Sequence, residues 1–343
     1  MADEIPNDQE ENEELYEHHR ILVDPGQSLM RVDVFLSNRL ENVSRSKIQN
    51  AAKAGSILVN DKPVKSNYRI HPNDVISIVL PTPVREFEVI PENIPFEILF
   101  EDEDILVINK AAGLVVHPGH GNYTGTLLNG LEYYFKDEKN VSPALAHRID
   151  KDTSGVLLIG KNERAQTILG KQFFDHSISR KYLALVWGDF DEEQGTITGH
   201  IARNPANRLQ MFVFPDGSQG KHAVTHFRIV ERFGYVTLVE CELETGRTHQ
   251  IRAHMTFAGH PLFNDERYGG EKILKGTTFS KYRHFVQNCQ KILPRQALHA
   301  KSLGFTHPAT GKAMFFDTPL PEDMTELIEK WRHYSKHKDL FDD

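Results

Sequence analysis

The chain has 343 residues, of which 39% are hydrophobic and 26% are charged, so it is long enough to form two hydrophobic cores. No apolar run reaches the roughly 18 residues of a transmembrane helix, and the N-terminus lacks the basic and apolar regions of a secretion signal. The two cysteines, Cys241 and Cys289, lie far apart and exclude a disulfide framework and a zinc knuckle. We therefore expect a cytoplasmic protein that does not enter a membrane.

The net charge of −8 comes from the first seventeen residues, which contain eight acidic residues and no Lys or Arg. The rest of the chain is formally neutral, with 40 acidic and 40 basic residues. An acidic segment with so few aromatic residues cannot bury enough apolar surface to offset the entropy of ordering it. We predict a disordered acidic tail over residues 1–20.

The segment 31–71 is basic, with eight basic and three acidic residues. Its apolar spacing predicts two short helices, the second with Ser44 as its N-cap and Gly55 as its stop, followed by strands at 56–59 and 75–80. Arg45 and Lys47 lie where the second helix begins, so their side chains and the free backbone N–H groups can face phosphates. A basic face that contacts only water is the alternative.

Three stretches of this unit, at 31–36, 44–49 and 55–60, resemble the alpha-L RNA-binding motif that is named after a small-subunit ribosomal protein. The resemblance implies a small N-terminal α/β RNA-binding domain over 21–80, with Arg31, Arg45 and Lys47 as candidate RNA contacts. Four prolines between 81 and 95 and the lack of a helical period predict a linker there.

Residues 96–343 predict a second domain in which short strands alternate with helices. Strands are predicted at 105–108, 156–159, 182–187, 227–230 and 239–244, and helices at 126–135, 162–174, 248–257 and from 321 onward. In the strand at 239–244, Val239, Cys241 and Leu243 face one way and glutamates face the other. We predict an α+β fold with a mixed, largely antiparallel sheet flanked by helices.

Four segments of this domain concentrate polar side chains beside glycine, at 109–119, 147–155, 180–188 and 244–254. In the second segment, Asp150 lies between Arg148 and Lys151, just before a buried strand. Nearby cations keep a carboxylate ionised, and an ionised carboxylate is able to act as a nucleophile or a proton acceptor. Taken alone, such a segment is more often a turn that holds ordinary ion pairs.

Together the four segments resemble the RluA-type pseudouridine synthases. That family's usual His-Arg-Leu-Asp sequence, followed by Thr-Ser-Gly, occurs here with Ile149 in place of leucine. The Gly-Arg-Thr-His-Gln-Ile-Arg segment at 246–252 and the segments at 259–262 and 295–300 also match, in the expected order. A glycine common in the family is Asn264 here. The resemblance covers about residues 96–319.

The resemblance implies an isomerase that cuts the bond from ribose to a uracil nitrogen, turns the base and rejoins it through carbon 5, without metal or cofactor. It implies that Asp150 is the catalytic carboxylate, by attack on the ring or by assisted elimination, and that Arg247 holds it ionised. Tyr182 would stack on the uracil or take the proton from carbon 5. Arg148 would fill the gap left by the flipped base, and Leu298 would form a pocket wall.

The expected partner is RNA, with large-subunit ribosomal RNA or its precursor particle as the substrate and a monomer as the working form. We expect no metal, because the histidines at 117, 120, 249 and 254 lack a His-Glu-x-x-His pattern or a cysteine pair. Two alternatives remain open. One is a non-catalytic RNA-binding ribosome assembly factor, and the other is a hydrolytic RNA glycosylase.

Overall fold

The computed structural model describes residues 16–40, 43–80, 89–118, 122–138, 141–207 and 209–337. The chain divides into two compact units between Glu88 and Val89. Residues 1–15 of the predicted acidic tail and residues 81–88 of the predicted linker lie outside the described residues. In the part of the chain that the structure describes, no helix is long and apolar enough to cross a membrane.

The first unit packs two helices on a four-stranded antiparallel sheet. Its elements are β1 (Tyr16–Leu22), α1 (Val32–Arg39), α2 (Arg45–Lys53), β2 (Ile57–Val59), β3 (Lys62–Pro63) and β4 (Val75–Leu80), with the sheet order β1-β4-β2-β3. The predicted order of two helices and two strands is present, with β1 and β3 in addition. Strand β1 begins within the predicted disordered tail. The prediction is wrong for residues 16–20, because their backbone pairs with β4.

Helix α2 has the predicted ends. The Ser44 side chain accepts a hydrogen bond from the backbone N–H of Lys47, and the helix ends at Lys53, just before Gly55. Its inner face places Ile48 and Ala52 in a core with the apolar side chains of α1, β2 and β4. The polar outer face therefore stays in contact with water, as its sequence pattern requires.

The second unit is larger and contains the four polar segments. Its elements are β5 (Glu97–Glu101), β6 (Ile105–Lys110), α3 (Leu127–Tyr134), β7 (Ala144–Leu145), β8 (Ser154–Gly160), α4 (Glu163–Phe174), β9 (Ser179–Trp187), β10 (Gln194–Arg203), β11 (Met211–Phe214), β12 (Lys221–Arg232), β13 (Val236–Leu243), α5 (Gln250–Phe257), a 3₁₀ turn (Glu266–Tyr268), α6 (Ser280–Ile292), β14 (Leu298–Thr306), β15 (Ala313–Asp317) and α7 (Glu322–Lys336).

These strands form one sheet in the order β11-β10-β12-β13-β9-β14-β8-β6-β5, with β15 beside β14 and β7 beside β8. Among the described strands only β8 and β14 are parallel, so the predicted mixed, largely antiparallel sheet is confirmed. These two strands approach closely at Gly155, which has φ of 116°, and a Cβ there would lie 2.1 Å from the carbonyl oxygen of Ala300. Only glycine fits this position, and the close approach places the start of β14 beside the segment that leads into β8.

The sheet has an apolar core on each face. Val239, Cys241 and Leu243 of β13 are buried in one core, as their alternation predicts, and Leu238 lies in the other core. The second core also receives the inner face of α7, which consists of Met324, Leu327, Ile328, Trp331 and Tyr334. Period-2 and period-3.6 patterns in the sequence therefore correspond to real buried faces.

Residues 89–95 differ from the predicted linker, because they pack on helix α3. The backbone N–H of Glu92 donates to the carbonyl oxygen of Asn129 at 3.0 Å, and the Asn129 side chain donates to the carbonyl oxygen of Ile90 at 2.9 Å. These hydrogen bonds attach the segment to the second unit.

Candidate active site

Asp150 lies in the loop 147–153 that leads into β8, and the loop backbone is held at several points. The carbonyl oxygen of Lys151 accepts from the backbone N–H of Gly113 at 3.0 Å, and that of Asp152 accepts from Nη1 of Arg295 at 3.0 Å. The backbone N–H of Thr153 donates to the carbonyl oxygen of Asp150 at 3.1 Å. The position of the Asp150 side chain is therefore set by a rigid main chain.

Lys110, at the end of β6, is fully buried and holds the same loop. Its Nζ donates to the carbonyl oxygens of Ala111, Leu114 and Lys151 at 2.8–2.9 Å. Burial lowers the pKa of Lys110 to about 7. Three carbonyl acceptors match the three N–H groups of an ammonium, so the charged form joins the loop after β6 to the Asp150 loop.

The Asp150 carboxylate forms an ion pair with Arg252 on the first turns of α5. Nη1 of Arg252 lies 2.9 Å from Oδ2 of Asp150, and its Nε and Nη2 donate to the two carboxylate oxygens of Asp265 at 2.7 and 2.8 Å. Burial lowers the pKa of Arg252, but the two carboxylates outweigh burial and raise it overall. The permanently charged guanidinium of Arg252 thus connects the Asp150 carboxylate, which faces the cavity, to the buried carboxylate of Asp265.

The loop before α5 is fixed by Gln250, which is buried. Its side-chain oxygen accepts from the Thr245 hydroxyl at 2.8 Å and from the backbone N–H of Arg247 at 2.9 Å. Its amide nitrogen donates to the carbonyl oxygen of Val224 and to the hydroxyl of Thr225 on β12. One glutamine therefore attaches the 245–249 loop to the sheet.

His249 is the N-cap of α5 and has a left-handed backbone with φ of 51°. Its Nδ1 lies 3.1 Å from the hydroxyl of Tyr268, which accepts from the backbone N–H of Met211 at 2.8 Å. Because the hydroxyl already accepts one hydrogen bond, its own proton is available to Nδ1. In that arrangement the His249 proton is on Nε2, which lies 4.0 Å from Oδ1 of Asp150. Burial lowers the pKa of His249 to about 4, so the ring is neutral at pH 7.

Asp150 lines a cavity of about 450 Å³. Its lining includes Arg148, Arg180, Tyr182 and Arg247, and a smaller adjoining cavity reaches Leu298. Tyr182 is almost fully buried, and burial raises the pKa of its hydroxyl. The site therefore combines an ionisable carboxylate, an aromatic ring, an apolar wall and several arginines, an arrangement suited to a flat base joined to an anionic backbone.

Residues 104–257 match the family model of the RNA pseudouridylate synthases, and residues 30–76 match that of the S4 domain. An uncharacterized RNA pseudouridine synthase of Chlorobaculum parvum is 44% identical over 313 residues, covering 89% of this chain and 95% of that protein. The chain belongs to the RNA pseudouridine synthase family.

Two further similarities agree with this membership. The ribosomal large subunit pseudouridine synthase D of Zymomonas mobilis is 40% identical over 310 residues, covering 87% of this chain and 93% of the relative. The solved structure of human RNA pseudouridylate synthase domain containing 1 has a TM-score of 0.50 and 26% identity, covering 69% of this chain and 95% of that one. This protein is accordingly an isomerase that acts on RNA and carries an S4 domain.

The structure brings the five predicted residues of this domain to the two adjoining cavities: Arg148, Asp150, Tyr182, Arg247 and Leu298. One predicted contact is wrong. Nε of Arg247 donates to the carbonyl oxygen of His222 at 2.9 Å, and the cation that pairs with Asp150 is Arg252. Arg252 is three residues after His249, so one face of the α5 start presents both side chains to Asp150.

Sequence reasoning missed Arg252, His249 and Asp265. Arg252 and His249 stand in the 246–252 segment, but nothing in that segment shows which arginine reaches the carboxylate. Asp265 follows Asn264, the position where the family commonly has glycine. Asn264 has φ of 55°, and asparagine is one of the few residues besides glycine that tolerate this left-handed conformation. The departure therefore preserves the turn that carries Asp265.

The cations predicted to contact RNA in the first unit differ in their pairing. Asp33 is fully buried and accepts from Arg31 at 3.0 Å, from Arg45 at 3.1 Å and from Gln49 at 2.8 Å. Burial opposes ionisation of Asp33, but these hydrogen bonds lower its pKa overall. The exposed Lys47 side chain makes no ion pair with a described residue. Lys47 is thus the predicted contact with the fewest competing partners.

One group of side chains among the described residues has the spacing of a metal site: Asp102, Asp104 and His307. Each of the three is engaged in hydrogen bonds. Oδ1 of Asp102 accepts from two backbone N–H groups, Oδ2 of Asp102 lies 2.8 Å from Nε2 of His307, and Asp104 accepts from the Asn162 side chain. These hydrogen bonds indicate that the three side chains stabilise the turn before β6.

Proposed function

We propose that this enzyme converts specific uridines of large-subunit ribosomal RNA to pseudouridine, with Asp150 as its catalytic carboxylate. The observation that carries the proposal is the Asp150–Arg252 ion pair of 2.9 Å, in which the carboxylate lines the cavity together with Tyr182. Attack on the uracil ring and elimination at the ribose both require an ionised carboxylate. Nη1 of Arg252 donates to Oδ2 of Asp150 and gives that carboxylate a cationic partner.

The cavity dimensions suit one flipped nucleotide. A uridine in folded RNA reaches Asp150 only after it leaves the base stack, which costs a few kcal/mol. Stacking on Tyr182 returns about 1–3 kcal/mol of that cost. Arg148 is exposed beside the loop, with its Nη2 2.7 Å from the Thr248 hydroxyl, where it is able to enter the space left in the RNA.

The choice of substrate rests on two findings. The S4 domain supplies an RNA-binding unit, and the Zymomonas mobilis relative is named for the large ribosomal subunit. Phosphate contacts by such a unit position an enzyme on its RNA without reading the sequence. Selection of the uridine is then left to the catalytic unit and to the shape of the RNA.

The first experiment compares Asp150→Asn with Asp152→Asn in the same loop. Asparagine keeps the size of Asp150 but is unable to act as an anionic nucleophile or base, so we expect turnover to fall by about 10⁴-fold or more while RNA binding persists. Asp152→Asn should stay within about threefold of wild type, because the Asp152 side chain makes no hydrogen bond or ion pair with a described residue. Activity of the Asp150 variant within tenfold of wild type would overturn the mechanism.

The second experiment maps pseudouridine in ribosomal and transfer RNA from a strain that lacks the gene. We expect the loss of one or more sites in large-subunit ribosomal RNA and their return when the gene is restored. Loss of a transfer-RNA site alone would contradict the proposed substrate. Nucleosides resolved after incubation with the missing-site RNA separate the remaining alternatives, since free uracil would indicate a glycosylase and unchanged uridine a binding factor.

A further inference from the structure

Arg180 is a buried arginine with no carboxylate partner among the described residues. It lies in β9, two residues before Tyr182, and is 6% exposed. Nη2 donates to the carbonyl oxygens of Leu243 and Glu244 at 3.4 and 3.1 Å, and the buried Nε has no hydrogen-bond partner in the described part of the chain. A buried cation in this state is costly, and proteins normally pair it.

The cavity that Arg180 lines carries an excess of positive charge. The described residues that line it include three arginines, Arg148, Arg180 and Arg247, and a single carboxylate, Asp150. Asp150 is already paired with Arg252. Burial lowers the pKa of Arg180, and the nearby Arg247 lowers it further against the opposing effect of Tyr182. The cavity is therefore electrostatically incomplete without an anion.

Gly246 allows this arrangement. A Cβ at Gly246 would lie 2.6 Å from Nη1 of Arg180, so any larger residue would displace the guanidinium from the cavity wall. The neighbouring Arg247 is held by the backbone contact to Gln250 described above and by its own bond to the carbonyl oxygen of His222. The Gly-Arg step thus permits the guanidinium groups of Arg180 and Arg247 to line the same cavity.

We propose that Arg180 and Arg247 form a subsite for one phosphate of the RNA backbone, adjacent to the flipped uridine. The inference rests on the proposed function and identifies what the enzyme binds besides the base. A guanidinium matches the geometry of a phosphate through paired N–H groups. A uridine that stacks on Tyr182 brings its two neighbouring phosphates to within one nucleotide of this wall, and each carries the negative charge that the cavity lacks.

Binding of a short single-stranded oligouridylate across a salt series tests the subsite. We compare the wild type with Arg180→Gln and Arg180→Lys, and use Arg228→Gln as the control. Arg228 is an exposed arginine that pairs with Glu240 on the sheet face opposite to Tyr182. Loss of one phosphate contact lowers the slope of log affinity against log salt by about 0.7. We expect this loss in the Gln variant only, and equal slopes in wild type and Gln variant would overturn the proposal.

A thermodynamic cycle identifies the phosphate. The RNA is an oligoadenylate with one central uridine, in which a neutral methylphosphonate replaces the phosphate on either side of that uridine. For wild type, we expect the methylphosphonate at one of the two positions to lower the affinity roughly tenfold relative to the unmodified RNA. For Arg180→Gln, which already lacks the contact, the same replacement should lower the affinity only slightly. Additive losses at both positions would refute the subsite. If the Gln variant fails to fold, the uncharged variant Arg180→Met takes its place, and losses equal to those of wild type at both positions would refute the subsite.

These readouts are independent of the isomerisation. If Arg180 is coupled to one phosphate but no pseudouridine forms on any RNA, the subsite is supported and the proposed function is rejected. If pseudouridine forms but Arg180 is coupled to neither phosphate, the function is supported and the subsite is rejected. The two proposals are therefore tested separately.

Discussion

Arg252 is the residue on which the geometry of Asp150 depends most directly. Its guanidinium is shared by two carboxylates, one buried and one facing the cavity, with three N···O distances of 2.7–2.9 Å. Its face lies 4.9 Å from the ring centre of Tyr268. A lysine could provide the charge but not the three directed hydrogen bonds, since its ammonium is a compact point charge on a flexible stem.

Arg252→Met should destabilise the protein and stop turnover for two separable reasons. Asp265 would be left buried and unpaired, which typically costs about 3–5 kcal/mol of unfolding free energy. Adding Asp265→Asn removes that charge but keeps the oxygen that accepts from the backbone N–H of Tyr268. We expect the double variant to recover most of the stability in urea unfolding while single-turnover rates stay about 100-fold or more below wild type. Recovery of activity along with stability would show that Arg252 acts only on the fold.

His249 should act through a fixed tautomer. Tyr268→Phe keeps the ring beside Arg252 but removes the hydroxyl that directs the His249 proton to Nε2. We expect the single-turnover rate to fall by roughly twofold to tenfold, the value of one hydrogen bond of about 0.5–1.5 kcal/mol, with RNA affinity unchanged. Long-range ¹H–¹⁵N spectra of histidine-labelled protein should show Nε2-protonated His249 in wild type and a mixture in the variant. An Nδ1-protonated ring in wild type would contradict the arrangement.

At the scale of elements, sequence patterns predicted what local physics determines. The alternation in β13, the apolar stripe of α7 and the Ser44 cap of α2 each correspond to the observed element, because periodicity and capping depend on neighbours within one segment. Strand β1 is different. Its acidic surroundings suggest a solvated tail, and its order comes from backbone pairing with β4, about 55 residues further along the chain.

The candidate site shows the same division. Asp150 and Tyr182 could be placed from their segments, because each lies at a strand end or within a strand that the pattern identifies. The partner of Asp150 could not be chosen between Arg247 and Arg252, since that depends on where α5 begins and on Gln250, which attaches the preceding loop to β12. Long-range hydrogen bonds decide such choices, and no local pattern records them.

Helix α2 carries two predicted RNA contacts that should respond differently. Lys47→Ala should weaken RNA binding and lower the slope of log affinity against log salt by about 0.7–0.9, because its exposed ammonium has no competing ion pair among the described residues. Arg45→Ala should also cost about 1 kcal/mol of stability, since it removes a half-exposed partner of Asp33. Lys53→Ala, at the other end of α2, serves as the control. Filter binding with ribosomal RNA fragments measures the slopes, and an unchanged slope for Lys47→Ala would exclude this helix end as a phosphate contact.

At the scale of the whole molecule, the second unit depends on neutral histidines. Burial lowers the pKa of His147 to about 3 and those of His249, His254 and His299 to about 4. His299 is enclosed between the hydroxyls of Ser154 and Thr318, and it lies beside the contact of β8 with β14. Among the described residues, no carboxylate accepts a hydrogen bond from His254 or His299, so protonation of either ring places an unpaired charge in the core.

The sign of the resulting pH dependence follows from proton binding. An unfolded histidine titrates near pH 6.5, so between about pH 6.5 and 4 the unfolded chain binds more protons than the folded chain. The unfolding free energy should therefore fall as the pH falls through this window, by up to about 1.4 kcal/mol per pH unit for each buried histidine. Carboxylates such as Asp102, whose pKa is lowered by hydrogen bonds despite burial, add to this loss mainly below pH 5. Lys110 titrates only above this window.

His254→Gln isolates one histidine in this dependence. Nδ1 of His254 lies 2.8 Å from the Thr225 hydroxyl, while its Nε2 is buried without a partner among the described residues. Glutamine keeps a polar atom near Thr225 and does not titrate, so the slope of unfolding free energy between pH 6.5 and 5 should decrease by up to about 1.4 kcal/mol per pH unit. His284→Gln, at an exposed position on α6, is the control and should leave the slope as in wild type. Urea unfolding at closely spaced pH values measures both. An unfolding free energy of wild type that does not change between pH 6.5 and 5 would contradict the prediction. It would mean that His254 is protonated in the folded protein and that the start of α5, including Arg252, is more polar than its burial implies.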